Sequence, residues 1–261
     1  MTKIDFVEGE NFVMDYCCFG SGKRVLVLLP GISLQPVSPL VEFIAAQYAV
    51  MTKDYTVYLF DRKRDISDGY SIENMADDTA EAMHKLGISS AYVYGCSQGG
   101  MIAQVMAAKH PELVAKLALC STMCDINDVQ LPIINKWLEY AEAGDALSLV
   151  RGFFKNVYSK DFQNKHAKVM KQMENIAPHI NLQQIMYLVK ACLSFNATAL
   201  LPFIKCETIV LASEYDDVLG VESSRKLAEK LACKSKIYSD YGHAVYDETP
   251  DVLQEIQKFF N

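Results

Sequence analysis

The amino-acid sequence predicts an α/β fold, with a mostly parallel eight-stranded sheet flanked by helices, on the basis of three observations. Short runs of apolar and β-forming residues alternate with amphipathic segments of helical length in both halves of the chain. The runs at residues 25–29 and 57–60 are continuously apolar, as strands are when helices cover both faces of a sheet. The alternation stops between residues 125 and 198, where four helical segments follow one another without a strand between them.

This interruption divides the predicted fold into two parts. Residues 1–124 and 199–261 are predicted to form a core that contains the sheet. Residues 125–198 are predicted to form a helical insertion after the sixth strand, here called the cap, which acts as a lid. Gly144, Pro178 and Asn181 separate the cap segments, so helices are expected at 128–143, 145–157, 160–177 and 181–195.

The core elements are predicted in order along the chain. Gly9-Glu10 separates two alternating runs at the N-terminus and indicates a hairpin. A helix is expected from Ser71, because apolar residues recur on one face after it, and Gly87 stands where its C-cap would fall. His110-Pro111 ends the next predicted helix. Further strands are expected at 4–8, 12–19, around Tyr92, 117–120, 208–212 and 236–238, and helices at 38–50, 221–231 and 247–260.

The composition disfavours several classes of partner. The chain has 25 basic and 32 acidic residues, a net charge of −7, and no Lys/Arg cluster that breaks the acidic balance. Nucleic acid and anionic membrane surfaces are therefore not expected partners. No apolar run reaches the roughly 18 residues of a transmembrane helix. The expected partner is a small molecule, and the chain is expected to be a monomer or homodimer.

The eight cysteines are scattered without a Cys-x-x-Cys pair, and residues 1–6 lack the long apolar stretch of a signal peptide. The cysteines are therefore expected to be reduced and mostly buried thiols of a cytoplasmic protein. Metal ligation is not expected at this spacing, and no metal or organic cofactor is predicted.

A motif for a nucleophile lies at residues 95–99, Gly95-Cys96-Ser97-Gln98-Gly99. A β-forming run precedes it and a helix-forming segment follows at once, which is the strand–turn–helix context that holds a serine on a tight turn. The two glycines suit a sharp turn, where side chains would clash. Cys96 occupies the variable position of the motif and is expected to be an inert buried thiol.

A serine nucleophile needs a base, and the base needs an acid to fix its tautomer. Of the five histidines, His243 alone follows the last predicted strand in a loop, whereas the other four fall in helices or at helix ends. The acid should lie between the serine and the histidine at the end of a strand. The segment after the strand at 208–212 supplies such candidates: Glu214, Asp216 and Asp217.

The chain resembles the α/β-hydrolase superfamily, close to its small lidded esterases and lactonases, over nearly its whole length. The resemblance rests on Leu28-Leu29-Pro30-Gly31, on residues 94–100, on residues 204–216 and on Tyr241-Gly242-His243. Family members usually place the acid as Gly-x-x-Asp after the seventh strand. Here Ser213 stands at the glycine position, which implies Asp216. Asp217, or Asp125 after the sixth strand, stays as an alternative acid.

The oxyanion formed during acyl transfer needs two backbone N–H donors. One is expected from Gln98, the residue after the nucleophile, at the start of a helix. The other is expected from the loop after the third strand, where family members commonly have His-Gly-x. This chain has Pro30-Gly31-Ile32, so the resemblance implies Ile32 as the second donor.

These residues predict a serine hydrolase that cleaves a small ester-like substrate through an acyl-enzyme on Ser97. A carbon–carbon bond hydrolase, a haloperoxidase-like enzyme or an aminopeptidase would use the same triad. A peptidase would also need an anchor for the substrate amine, for which the cap offers Glu139, Glu142 and Glu174. A ligand-binding member of the fold without turnover is the remaining alternative.

Two further groups have a functional and a structural interpretation. Arg62, Lys63 and Arg64 follow a buried strand and would suit a substrate carboxylate, but a solvated loop is favoured. Apolar cap residues would suit an acyl pocket, although packing between helix and core explains most of them equally well. These residues are Phe153, Phe154, Met170, Met173, Met186 and Phe195.

Overall fold

A computed structural model describes residues 2–126 and 131–261, with only the backbone described at Leu131. One eight-stranded sheet runs in the order β1-β2-β4-β3-β5-β6-β7-β8. The first strand pairs antiparallel with the second and the second antiparallel with the fourth, while the other neighbours are parallel. The strands are β1 Lys3–Glu8, β2 Val13–Gly20, β3 Arg24–Leu29, β4 Tyr55–Lys63, β5 Ala91–Cys96, β6 Val114–Cys120, β7 Glu207–Ser213 and β8 Lys234–Tyr238.

Helices flank this sheet and also fill the segment between β6 and β7. They are α1 Val41–Gln47, α2 Ile72–Lys85, α3 Gln98–Lys109, α4 Leu131–Glu142, α5 Ala146–Val157, α6 Lys160–Lys165, α7 Ala167–Met173, α8 Leu182–Leu193, α9 Val221–Lys230, α10 Val245–Glu248 and α11 Asp251–Phe260. The predicted α/β fold with a mostly parallel eight-stranded sheet is confirmed.

The side chains of β3 show why this sheet is covered on both faces. Successive side chains of a strand point to opposite faces. Val27 and Leu29 pack into the apolar cluster that contains α2 and α3, whereas Leu26 and Leu28 pack into the cluster that contains α11. All four are at most 3% exposed. A continuous apolar run is therefore required here, rather than the alternation of a half-exposed strand.

The limits of α2 follow from its sequence as predicted. The Ser71 hydroxyl accepts from the N–H of Asn74, and the Asn74 side chain accepts from the N–H of Ser71, which together form a capping box. Gly87 has a φ of +72° just after the helix, a conformation that favours glycine.

The cap region is helical, and its two ends lie side by side. Asp125 forms an isolated β-bridge with Asn196, and the N–H of Ala197 donates to the carbonyl of Cys124 at 2.7 Å. The first predicted cap helix, 128–143, lies partly outside the described residues and is observed from Leu131 to Glu142. The division into core and cap stays a prediction.

Three predicted helices differ from the observed ones. The predicted helix 160–177 is wrong as a single element, because α6 ends at Lys165 and α7 gives way to a 3₁₀ turn over Glu174–His179. Pro178 has no N–H to donate to the carbonyl four residues earlier, so an α-helical hydrogen bond is missing in this segment. Pro250 separates α10 from α11 in the predicted helix 247–260. In 38–50, only Val41–Gln47 is α-helical and a 3₁₀ turn precedes it.

The state of the cysteines and the character of the helices can be compared with the sequence-based expectations. All eight cysteines are free, and five of them are buried. Within residues 2–126 and 131–261, none of the helices combines the length and the apolar character that a membrane crossing requires.

Candidate active site

Ser97 sits on a sharp turn between β5 and α3. Its backbone has φ 52° and ψ −122°, a strained conformation for a residue with a side chain. The Ser97 N–H donates to the carbonyl of Cys120 at 3.0 Å, and the Ser97 carbonyl accepts from the Thr122 hydroxyl at 2.8 Å. Hydrogen bonds to the end of β6 and the residues after it thus hold this turn from both sides.

The glycines of the motif are required by close backbone approach. A Cβ at Gly95 would lie 2.4 Å from the carbonyl oxygen of Gly99, and a Cβ at Gly99 would lie 1.9 Å from the carbonyl oxygen of Leu29. No side chain fits at either position without a shift of the backbone. The motif therefore lies in the strand–turn–helix geometry that the sequence predicts.

Ser97, His243 and Asp216 form one hydrogen-bonded chain. His243 Nε2 lies 3.0 Å from Ser97 Oγ, and His243 Nδ1 lies 2.8 Å from Asp216 Oδ2. His243 is 2% exposed and Asp216 is 5% exposed. The other carboxylate oxygen of Asp216 accepts from the N–H groups of Val218 at 2.9 Å and Leu219 at 2.8 Å, so its orientation is fixed.

The two alternative acids lie in other surroundings. Asp125 forms an ion pair with Lys226 at 2.6 Å and accepts from the Thr198 hydroxyl. Asp217 is exposed to solvent. Of the three candidates, Asp216 is the one that contacts His243.

The loop that carries His243 is held by the cap on both sides of the histidine. The N–H of Ala244 donates to the carbonyl of Val157 at 2.9 Å. Glu248 Oε1 accepts from the N–H of Gly242 at 3.1 Å and from the N–H of Ser159 at 2.8 Å, and its other oxygen accepts from the Ser159 hydroxyl. The approach is so close that a Cβ at Gly242 would lie 2.6 Å from the Ser159 nitrogen.

The two predicted oxyanion donors lie on segments that flank Ser97. Gln98 begins α3, where backbone N–H groups have no partner within the helix. Gly31 lies against the serine, since a Cβ there would be 3.0 Å from Ser97 Cβ, and Ile32 follows it. Neither the Ile32 N–H nor the Gln98 N–H has a hydrogen-bond acceptor in the described part of the chain. Both N–H groups are therefore free to bind a ligand.

The Gln98 side chain connects the turn to the cap and to Arg62. It is fully buried, and its Nε2 donates to the carbonyl of Leu188 at 2.9 Å and to Cys192 Sγ at 3.2 Å, both on α8. Its Oε1 accepts from Arg62 Nε at 3.2 Å, and Arg62 Nη2 donates to the carbonyl of Pro30 at 2.7 Å. Burial lowers the pKa of the Arg62 guanidinium.

The favoured interpretation of 62–64 as a solvated loop is wrong for Arg62 and Lys63. Strand β4 continues to Lys63, three residues beyond the predicted end, which places Arg62 in the sheet and half-buried. Lys63 forms an ion pair with Asp78, and the exposed Arg64 forms one with Asp15.

The cysteines next to the site are poor nucleophiles. Burial raises the pKa of the Cys96 thiol to about 12 and that of Cys192 to about 11. Both are therefore neutral thiols at neutral pH, as expected for Cys96.

Two of the predicted acyl-pocket residues lie elsewhere. Phe154 and Met170 line a cavity of about 350 Å³ together with charged cap side chains that include Arg151, Lys171 and Glu174. Ser97, Asp216 and His243 are not among its lining residues. Phe195, by contrast, is 2% exposed and belongs to the apolar core.

Sequence reasoning missed Thr122, Ser159 and Glu248, which support the site without belonging to the motif. Thr122 follows the end of β6, the strand next to the turn, so its position at the carboxyl edge is a usable signal. Glu248 follows His243 by five residues, but nothing in the sequence points to its partner Ser159, which is 89 residues away.

The fold and this site together place the chain in a known class. The family model described as "alpha/beta hydrolase fold" matches residues 25–250, so the chain belongs to the alpha/beta hydrolase family.

Among curated proteins, the chain is 24% identical over 226 residues to "Putative carbamate hydrolase RutD" of Caulobacter vibrioides, across 81% of this chain and 80% of that protein. Among solved structures it is similar to MGS-M2, an alpha/beta hydrolase from a Medee basin deep-sea metagenome library. The TM-score is 0.89 at 21% identity, covering 98% of this chain and 97% of that one. It is also similar to the enol-lactonase from Burkholderia xenovorans LB400, with a TM-score of 0.84, 20% identity and coverage of 98% and 99%.

Proposed function

We propose that this protein is a serine hydrolase that cleaves a small ester-like acyl substrate through an acyl-enzyme on Ser97. The observation that carries the proposal is the unbroken hydrogen-bonded chain from Ser97 Oγ through His243 to Asp216. The names of the relatives agree with the coarse class, since one is a carbamate hydrolase and another an enol-lactonase.

In the first half of the reaction, His243 Nε2 takes the proton of Ser97 as the oxygen attacks the substrate carbonyl. Asp216 accepts from His243 Nδ1, which fixes the tautomer with a free Nε2 and stabilises the imidazolium as it forms. The N–H groups of Ile32 and Gln98 stabilise the negative charge that develops on the carbonyl oxygen. His243 then gives its proton to the leaving alcohol, and the acyl group stays on Ser97.

In the second half, His243 takes a proton from water, which attacks the acyl-enzyme and forms a second tetrahedral intermediate. The same two N–H groups stabilise its oxyanion. When the intermediate collapses, the proton returns to Ser97 Oγ and the carboxylic acid leaves. The cap shields the acyl-enzyme during this cycle.

The cap carboxylates give little support to an aminopeptidase. Glu174 accepts from Arg151 at 3.0 Å and from Lys171 at 2.7 Å, and Glu139 forms an ion pair with Lys136 at 2.7 Å. Glu142 is exposed to solvent. These acids are satisfied or solvated at the surface, so an ester-like substrate without an amine anchor is favoured.

Labelling with a fluorophosphonate probe, together with hydrolysis of p-nitrophenyl acetate and butyrate, tests the proposal. The wild-type protein is expected to be labelled and to release p-nitrophenol. Ser97→Ala should lose both, while Ser121→Ala, a serine at the end of the neighbouring strand, should keep the label. Failure of the wild type to be labelled, or labelling that survives in Ser97→Ala, would reject a serine nucleophile at this position.

A further inference from the structure

Arg62 is a half-buried cation at the edge of the sheet where Ser97 lies, and it forms no ion pair with a carboxylate within residues 2–126 and 131–261. Its guanidinium crosses the end of β3 and donates to the carbonyl of Pro30 and to the Gln98 side chain, both neutral oxygens. Pro30 belongs to the loop of one predicted oxyanion donor, and Gln98 is the other. Arg62 is therefore in direct contact with both segments that flank the nucleophile.

The carboxylates near Arg62 are hydrogen-bonded to other groups. Asp61, the preceding residue, is occupied by the N–H groups of Val37 and Ser38. Lys63 pairs with Asp78 and lies over the Tyr70 ring, and Arg64 pairs with Asp15 at 2.7 Å. Among the ion pairs of the described residues, none includes Arg62. A guanidinium keeps its charge in proteins, and Asp61 stabilises that charge through space without a direct ion pair.

Arg62 also has donors to spare. A guanidinium carries five N–H groups, and two of those on Arg62 are used. The other groups have no acceptor in the described part of the protein, yet no Arg62 nitrogen is among its enclosed unpaired side-chain atoms. Those enclosed atoms are Tyr55 Oη, Tyr94 Oη, Gln104 Oε1 and Trp137 Nε1. Nη1 of Arg62, which has no acceptor among the described residues, is therefore not fully enclosed.

Building on the proposed hydrolase function, we propose that Arg62 binds a carboxylate carried by the ester substrate. The favoured substrates are then half-esters and other ester-like molecules with one negative charge. A carboxylate matches the guanidinium fork and can accept from the N–H groups of Arg62 that have no acceptor among the described residues. A phosphate group, with nearly two charges at neutral pH, would need a second free cation, whereas Lys63 and Arg64 already have carboxylate partners.

Hydrolysis of a matched ester pair tests this assignment. Monomethyl glutarate and dimethyl glutarate differ by one methyl group and one charge, and acid release from either can be followed by titration at constant pH. Because Arg62 also holds Pro30 and Gln98, its substitution will alter turnover of both esters. The ratio of the two kcat/KM values removes this shared loss and isolates recognition of the carboxylate.

The wild type is expected to favour the half-ester about 10- to 100-fold, the range for a hydrogen bond to a charged group. Arg62→Met should bring the ratio close to one, and Arg62→Lys should restore part of it. Arg64→Met, which removes an exposed arginine two residues away, should leave the ratio unchanged. Equal kcat/KM values for the two esters in the wild type, or an unchanged ratio in Arg62→Met, would overturn the assignment.

Calorimetric binding to Ser97→Ala separates this assignment from the hydrolase proposal. The half-ester should bind at least about tenfold more tightly than the diester, and Arg62→Met in the same background should abolish the difference. Arg62-dependent binding without hydrolysis by the wild type would keep the carboxylate site and reject the hydrolase. Hydrolysis that depends on Ser97 but has equal rates for both esters would keep the hydrolase proposal and reject the carboxylate site. Equal binding of both esters, or no detectable binding of the half-ester, would count against Arg62.

Discussion

The two halves of the site are held by different parts of the molecule. The hydrogen bonds of the Ser97 backbone go to the core, to Cys120, Thr122 and the first turn of α3. The residues on either side of His243 are bonded to the cap, through Val157 and through the Glu248–Ser159 contact. Ser97 is thus held by the core alone, whereas His243 is held both by Asp216 of the core and, through its loop, by the cap.

We infer from this difference that the cap, besides the shielding proposed above, helps to position the His243 loop. A displacement of Val157 and Ser159 acts directly on the His243 loop and leaves the backbone of the serine turn in place. In the proposed mechanism, we therefore expect the position of the cap to affect proton transfer to His243 more than the position of Ser97. Substitutions on the two sides should therefore have different kinetic signatures.

The largest effect on kcat is expected from Asp216→Asn, which removes the carboxylate that accepts from His243. The amide NH₂ would donate to His243 Nδ1 and leave Nε2 protonated, so the histidine would be unable to take the Ser97 proton. We expect kcat to fall about 10⁴-fold in steady-state hydrolysis of p-nitrophenyl butyrate. Asp217→Asn, one residue away and exposed, is the matched control and should keep wild-type kcat. A loss of kcat in Asp217→Asn together with wild-type kcat in Asp216→Asn would identify Asp217 as the acid.

The next effect is expected from Glu248→Ala, which releases the His243 loop from the cap. A misplaced base lowers kcat about 10- to 100-fold, with little change in KM. Glu248→Gln keeps an acceptor oxygen for the N–H groups of Gly242 and Ser159 and should recover most of the rate. Asp240→Asn, an exposed acid before the same loop, is the control. A loss of stability in Glu248→Ala with unchanged kcat would make Glu248 a purely structural contact.

A smaller effect is expected on the core side from Thr122→Val, which removes the hydroxyl donor to the Ser97 carbonyl. Loss of this hydrogen bond should cost about 1 kcal/mol in the free energy of unfolding, measured in urea. The rate should fall less than in Glu248→Ala, because other hydrogen bonds still hold the turn. Thr208→Val loses a hydroxyl bond to Cys206 at the far end of β7 and controls for stability alone. A larger drop in kcat for Thr122→Val than for Glu248→Ala would show that the core contacts of Ser97 matter more for the rate than the cap contacts of the His243 loop.

The smallest effect concerns the pH dependence of cap stability. Arg151 and Lys171 lower the pKa of Glu174 to about 2, from an ordinary value of 4.5. Since the folded pKa is depressed, this contribution to stability is present above pH 4.5 and is lost as the pH falls towards 2. Glu174→Gln should therefore lose less thermal stability than the wild type between pH 5 and pH 3. Parallel melting curves of both proteins over that range would contradict the ion-pair account.

The sequence was sufficient for those parts of the site that depend on local pattern. The motif around Ser97 and the strand ends before Asp216 and His243 follow from residue order, because parallel strands bring their carboxyl ends to one edge. The choice of Asp216 over Asp125 rested on resemblance, since strand order alone allows both. The structure separates them by placing Asp216 against His243 and Asp125 against Lys226.

The remaining contacts of the site cannot be predicted from the sequence, because they join segments that are far apart in the chain. Nothing near Glu248 in the chain points to Ser159, and nothing near Arg62 shows that its neighbours Lys63 and Arg64 already have acidic partners. The end of β4 was also placed too early, because its last residues are polar and resemble a loop. Pairing of Lys63 with Met14 on the antiparallel neighbour β2 extends the strand, and sequence periodicity does not register such a pairing.

The central claim is that Ser97 carries the acyl group, and trapping that intermediate tests it most directly. The protein is mixed with p-nitrophenyl butyrate, quenched in acid within the first turnover, digested and mapped by tandem mass spectrometry. The account predicts a butyryl group on Ser97 that disappears in Ser97→Ala. A butyryl group on the adjacent Cys96, or rapid hydrolysis with no adduct on either residue, would contradict it.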